Sequence, residues 1–371
     1  MTKVLVTGAN GFIGKNLCVR LSELPEVEIV TFAHTDALAE LPALLEGVDF
    51  VFHLAGVNRP VHATELQQGN SEFTEAFCNA VKTGGRKIKL LYTSSMQVGR
   101  EGLYSETKAA AEDSLQRLTT TGHADIVIYR LPNVFGKWCR PNYNSAVATF
   151  CYNTVNNLPL TIHNPEAPLQ LVYIDDVVDE FIRLMKNAAD LQGCTYQEVS
   201  PMYQTTVGYV AEQVQSFPEN RSTLLIGKVG QGLVRALYST YLSYIVPEQF
   251  KYGLKKHEDP RGVFVEMLRT TDSGQFSFFT AHPGITRGGH YHHSKNEKFL
   301  VIKGDARFKF RHIVTDELFE LCTSADVPEV VETIPGWVHD ITNIGTEEMV
   351  VMLWANEIFD RANPDTIPSK V

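Results

Sequence analysis

The strongest constraint on this chain lies at its start. A β-rich run at 3–7 leads straight into Gly8, Gly11 and Gly14, and helical apolar spacing follows at Phe12, Leu17 and Leu21. Glycines at those places permit a tight turn and a close backbone approach to a pyrophosphate, which then rests on the positive end of the helix. A glycine triad alone is a weak signal. Its place after the first strand of a strand–helix series makes it a strong one.

That series continues. Strand patterns at 28–32, 50–54, 88–93 and 126–131 alternate with helical patterns at 12–24, 38–45, 65–81 and 105–118. Short strands each followed by a helix predict a Rossmann-type doubly wound parallel sheet, covered on both faces. Helix candidates at 175–186, 206–217 and 232–244 are expected to form a lid over substrate. Beyond 244 the texture changes to short strands at 263–268, 276–281, 297–302, 307–312, 318–322, 330–334 and 349–354, the spacing of an antiparallel barrel or sandwich. With 371 residues the chain exceeds one ordinary core, so two domains are expected, 1–246 and 255–371, with the joint in 245–258.

A net charge of −10 disfavours nucleic acid. Six scattered cysteines without a CxxC pair, and no apolar run near membrane-spanning length, point to a reduced, cytoplasmic setting with no membrane association.

Two constellations carry chemistry. In the first, Tyr104 and Lys108 are four apart on a helical face, and Ser95 closes the preceding strand. Ketone reduction needs a proton for the developing alkoxide. A free phenol, with its pKa near 10, holds that proton tightly, and an ammonium nearby would loosen it. Ser95 is placed to hold the carbonyl oxygen. No carboxylate ends the second strand until Asp36, which tilts the cofactor toward NADP, with His34 either beside the 2′-phosphate or merely in solvent.

In the second, His290-Tyr291-His292 precedes Glu297 and, after a gap, His339 and Asn343. Alternation on a strand sends His290 and His292 to one face. Imidazoles plus a carboxylate suit Zn, Fe, Mn or Ni, with one divalent ion per chain expected and zinc the first choice.

Over 1–244 the chain resembles the extended short-chain dehydrogenase/reductase family, which acts mostly on nucleotide sugars. The resemblance implies that Gly8, Asn10, Gly11, Phe12, Ile13 and Gly14 bind the dinucleotide, with Leu54, Ala55 and Gly56 on its adenosine side. It assigns Ser95, Tyr104 and Lys108 as the catalytic triad, the last two also facing the cofactor. The stretch 130–136 matches the substrate loop, so Asn133 is expected at the substrate; Lys137, Arg140 and Asn142 just beyond it are candidates for a UDP pyrophosphate or else solvated charge. Where the dehydratase branch carries an Asp-Glu pair, this chain has Met96-Gln97, leaving reduction or C4 epimerisation.

The metal motif is similar to the cupin superfamily, with Pro335 one place late before Gly336 and His339. The resemblance implies an all-β cupin barrel. Taken whole, the chain resembles the CapF-type bifunctional enzymes of UDP-N-acetyl-L-fucosamine biosynthesis in capsule and O-antigen clusters, through 53–60, 133–145, 237–244 and 296–304. That implies C3 epimerisation of UDP-2-acetamido-2,6-dideoxy-hexos-4-ulose at the cupin, then NADPH reduction at C4 to UDP-N-acetyl-L-talosamine, in a homodimer. For the C3 base, Tyr291, His293, Lys298 and His312 are candidates on sequence proximity alone. The alternatives are an NAD-dependent C4 epimerase with a structural cupin, or a non-catalytic NADP-binding regulator.

Overall fold

The computed structural model describes residues 1–362 and 364–371. They divide into two compact units, one of 1–215 with 231–245, the other of 216–230 with 246–371. The segment 216–230, expected with the first domain, thus belongs to the second. Leu225–Ile226 runs parallel beside Arg269 and Thr270, and the Arg221 guanidinium donates to the Gln249 carbonyl at 2.7 Å.

In the first unit six parallel strands line up as Val27–Phe32, Thr2–Thr7, Phe50–His53, Ile88–Ser95, Ala124–Leu131 and Cys194–Gln197. Val4, Leu5, Leu90, Leu91, Val127 and Ile128 are wholly buried, as strands covered on both faces require. The order reverses between Thr2–Thr7 and Phe50–His53. At the carboxyl ends of the strands, such a reversal is where open α/β sheets bind ligands. Helix Ile174–Lys186 shows how cover is coded: Ile174, Val177, Val178, Phe181, Ile182 and Met185 make one buried stripe. Asn133–Phe135, Pro168–Tyr173 and Tyr203–Thr206 form a small sheet that the sequence pattern did not reveal.

The helix expected at 65–81 is broken in character. Thr64–Leu66 is α-helical, Gln67–Glu72 widens into π turns, and Phe73–Gly84 resumes the α-helix. The π segment carries Asn70, whose amide bonds both the N–H and the carbonyl of Val57, at 2.9 and 3.1 Å. Such widenings in helices often mark functional places.

In the second unit the described strands form two hydrogen-bonded sheets, of seven and five strands. Among the described residues no ladder closes these strands into a barrel; of the expected barrel or sandwich, the ladders form two separate sheets. The ladders end at Val330–Glu332 on one sheet and at Leu318–Ser324 on the other. The sheets share one apolar core. Phe279, Phe299 and Val351 of the first meet Phe308, Phe310 and Ile341 of the second, with the Phe299 and Phe308 rings 5.6 Å apart. Alternating strands pack equally well in a barrel or a two-sheet sandwich, so periodicity could not decide closure. The strands Thr286–Tyr291 and Trp337–Asn343, which carry His290 and His339, were not delimited by the pattern. Gly288-Gly289 and Pro335-Gly336 interrupt their texture.

Phe308 is 1% exposed at the meeting of the two sheets. Phe308→Ala should cost about 3–5 kcal/mol, read as a lowered urea midpoint of the second unit by its tryptophan fluorescence.

Candidate functional site

The glycine turn sits where strand order reverses. Gly8 has φ +71°, and a Cβ there would stand 2.8 Å from the Ala55 backbone. A Cβ on Gly14 would stand 2.2 Å from the Gly8 carbonyl oxygen. Both positions therefore require glycine. Helix Phe12–Ser22 begins without a side-chain cap and with no acidic residue in its first turn. Its N-terminal N–H groups and positive dipole end are open to an anion, which fits a dinucleotide pyrophosphate. Asn10, Phe12 and Ile13 complete this turn, and Asn10 is exposed. His34 is exposed just after the second strand, while Asp36 turns its carboxylate back onto the Ala33 N–H at 2.7 Å.

The loop after the third strand forms the opposite wall. His53 is buried between Thr7 and Thr74, with ring nitrogens 2.8 and 3.0 Å from the two hydroxyls. Burial lowers its pKa to about 3, so the ring is neutral. Leu54 and Ala55 cross the glycine turn. A Cβ on Gly56 would meet Asn70 Oδ1 at 2.9 Å and Lys108 Nζ at 3.0 Å.

Ser95, Tyr104 and Lys108 come together beside this loop. Ser95 ends Ile88–Ser95 and is buried; Tyr104 and Lys108 project from helix Leu103–Thr120. The half-buried Tyr104 donates its hydroxyl proton to Asn58 Oδ1 at 3.0 Å. Burial raises the Tyr104 pKa, and a hydrogen bond with Ser95 opposes that. Lys108 was expected to supply this opposition. Instead its ammonium donates to Tyr92 Oη at 3.3 Å and to the Thr93 carbonyl at 3.1 Å. Lys108 is itself fully buried, which lowers its pKa to about 8.

The expected substrate loop is partly committed elsewhere. Lys137 pairs with Asp175, Arg140 lies over the Tyr143 ring at 5.3 Å, and Asn133 donates to the Gln170 carbonyl at 3.3 Å. Arg140 and Asn142 are exposed, Asn142 with φ +54°. Asn58 and Asn70 were missed by sequence reasoning. Asn58 belongs to the quoted stretch 53–60, whereas Asn70 left no local signal.

In the second unit His290, His292, Glu297 and His339 converge, with one ligand atom from each within 4.8 Å of the others. Glu297 Oε2 lies 3.3 Å from His292 Nε2 and 3.4 Å from His339 Nε2. His292 Nδ1 meets the Asp365 carbonyl and His339 Nδ1 the Trp337 carbonyl. A carbonyl only accepts, so both rings carry hydrogen on Nδ1 and aim bare Nε2 lone pairs at a carboxylate oxygen. Three acceptors facing one another fit a cation between them, and His339 Nε2 is buried without a hydrogen-bond partner. Lys295, unforeseen from sequence, holds the other oxygen, Glu297 Oε1, at 3.1 Å. Among the base candidates, Lys298 pairs with Glu332, Tyr291 faces the His293 ring, and His312 Nδ1 accepts from two backbone N–H groups.

A glycine turn that fits a pyrophosphate, beside Ser95, Tyr104 and Lys108, is the arrangement expected of a nicotinamide-dependent oxidoreductase or epimerase. The chain belongs to the NAD dependent epimerase/dehydratase family, whose model matches residues 4–197; a polysaccharide biosynthesis C-terminal domain matches 257–367. It is 57% identical over 373 residues to the UDP-2-acetamido-2,6-beta-L-arabino-hexul-4-ose reductase of Pseudomonas aeruginosa, covering 100% of this chain and 99% of that one. The crystal structure of capsular polysaccharide assembling protein CapF from Staphylococcus aureus matches with a TM-score of 0.91 at 36% identity, covering 100% of both chains. UDP-glucuronic acid 4-epimerase from Bacillus cereus, in complex with NAD, shares the fold over 66% of this chain and 98% of its own, at 20% identity and a TM-score of 0.57. Among the described residues no helix is long and apolar enough to cross a membrane.

Replacing Asn70 with Ala strands the N–H and carbonyl of Val57. The expected cost is about 1–3 kcal/mol, with weaker dinucleotide binding measurable by calorimetry.

Proposed function

We propose that the first unit reduces the C4 ketone of a UDP-linked 2-acetamido-2,6-dideoxy-4-keto sugar with NADPH, after the second unit has epimerised C3 at a divalent metal. The observation that carries the reading is the Tyr104 hydroxyl, half-buried beside Ser95 and the 53–58 loop where strand order reverses. The reductase named in Pseudomonas aeruginosa, at 57% identity, supports the substrate class.

A nicotinamide bound at the glycine turn supplies the hydride. The chain's own residues do the rest. Tyr104 gives its hydroxyl proton to the developing alkoxide, and Ser95 holds the carbonyl oxygen before transfer. Lys108, one helical turn from Tyr104, has its buried ammonium held by Tyr92 and the Thr93 carbonyl, against Gly56 of the 53–58 loop. Asp36 commits a carboxylate oxygen to the Ala33 N–H and is less available to a ribose 2′-hydroxyl, while His34 stands exposed beside it, which favours NADP. Met96 and Gln97 supply no acid–base pair for water loss, which favours reduction over dehydration.

At the second site, a metal ion held by His290, His292, Glu297 and His339 would acidify the carbon next to a ketone. Three imidazoles and a carboxylate suit zinc. Glu297, with Oε1 tied to Lys295, presents Oε2 alone to the ion.

Tyr104→Phe should cut NADPH oxidation by about 10²–10⁴-fold with the keto sugar. Retention of native turnover would displace the hydride site. Incubation in D2O without NADPH should place deuterium at C3 for the native enzyme and not for His339→Ala, whose metal content by mass spectrometry should also fall. Exchange that survives in a metal-free variant would strike out the second step.

A further inference from the structure

The carboxyl-terminal segment crosses the second site in a way that no sequence motif announced. Ile367 and Pro368 pair with Tyr291 and His290, and the Ser369 N–H donates to the Gly289 carbonyl at 2.9 Å. Arg311 clamps the end of the segment through Ser369 Oγ at 3.0 Å and the Lys370 carbonyl at 2.9 Å. Asp365 does the closest work. Its carbonyl receives the His292 Nδ1 hydrogen. Its carboxylate accepts from the N–H groups of His293, Ser294 and Lys295 at 2.8, 2.7 and 2.8 Å, and from Ser294 Oγ at 3.0 Å. One residue thereby sets the tautomer of one ligand and the path of the loop between two ligands, His292 and Glu297. The same loop carries Lys295, which holds Glu297 Oε1.

We propose that residues 365–370 are a built-in brace of the metal centre, with Asp365 its positioning residue. The proposal rests on reading His290, His292, Glu297 and His339 as metal ligands. Nothing in the brace touches the ion. It acts by holding ligand nitrogen and ligand oxygen aimed at one point before the ion arrives, so that binding does not have to order the four residues between His292 and Glu297. Partners of metal ligands at this remove typically govern affinity by about 10–100-fold.

The test uses the full chain stripped of metal and titrated with zinc alone, against a chromophoric chelator. Asp365→Ala should bind zinc about 10–100-fold more weakly than the native chain, with the affinity read at a temperature where the metal-free variant is still folded. Asp365→Asn, which keeps one accepting oxygen, should fall between them. Cobalt(II) added to Asp365→Ala should give broadened or shifted d–d absorption bands, a signature that a loss of bulk stability does not produce. Equal zinc affinity in Asp365→Ala overturns the proposal, as does a weaker affinity with cobalt(II) bands identical to those of the native chain. If the native chain itself takes up no zinc, or His339→Ala takes up as much as native, the metal-ligand reading fails and the brace falls with it.

Discussion

The eight residues 53–60 are where the first unit's site is held together. They leave the sheet at His53 and at once meet the glycine turn, Asn70, Tyr104 and Lys108. His53 ties to Thr7 at the end of the first strand; Ala55 passes against Gly8 at the glycine turn. Gly56 lies against Asn70 and the Lys108 ammonium, Val57 is bonded by Asn70, Asn58 receives the Tyr104 proton, and the Arg59 carbonyl accepts from Tyr143. The approach is so close that side chains are excluded at Gly8 and Gly56. Backbone N–H and carbonyl groups there need partners, and the loop finds them in the side chains of Thr7, Asn70 and Tyr143. The distance between the dinucleotide turn and the proton donor is therefore set by one short piece of backbone.

The second unit solves a different problem, that of burying charge. Glu297 is 5% exposed and would be costly alone. Lys295, 6% exposed, balances it on one oxygen, and two imidazole nitrogens face the other. Lys295 also lies over the Phe359 ring at 5.7 Å, which gives the ammonium a second favourable surface. With the carboxylate already compensated, the bare Nε2 atoms of His292 and His339 remain pointing inward, with His290 beside them. A divalent cation relieves that arrangement, whereas apolar packing would not. The first unit uses the opposite tactic at Lys108, a buried ammonium held by a phenol and a carbonyl without a carboxylate in hydrogen-bond contact, which leaves its proton less tightly bound.

Much of this was legible in the chain itself. The parallel sheet followed from strand and helix periodicities, and Gly8, Gly11 and Gly14 from the demands of a phosphate-binding turn. His290, His292, Glu297 and His339 were named together from spacing, and they do converge. The misses have physical causes. Lys108 was assigned to Tyr104 because i and i+4 share a helix face, but the length of the lysine side chain lets it reach Tyr92 and Thr93 instead. Asn70 and Lys295 were passed over because a buried amide or ammonium looks, in sequence, like any surface polar residue.

What the sequence determined by itself was local: which segments alternate at period two or 3.6, where only glycine fits, and which residue types with chemical capacity recur at short spacing. Tertiary structure alone decided whether the second unit's strands close on themselves, and they do not among the described residues. It assigned 216–230 to the far unit, turned Asp36 onto its own backbone, and carried Asp365 back to His292 across more than seventy positions. Each of these depends on which backbone groups are left unpaired once the sheets have formed. Such a sum over the whole fold has no period and no spacing that a chain can display.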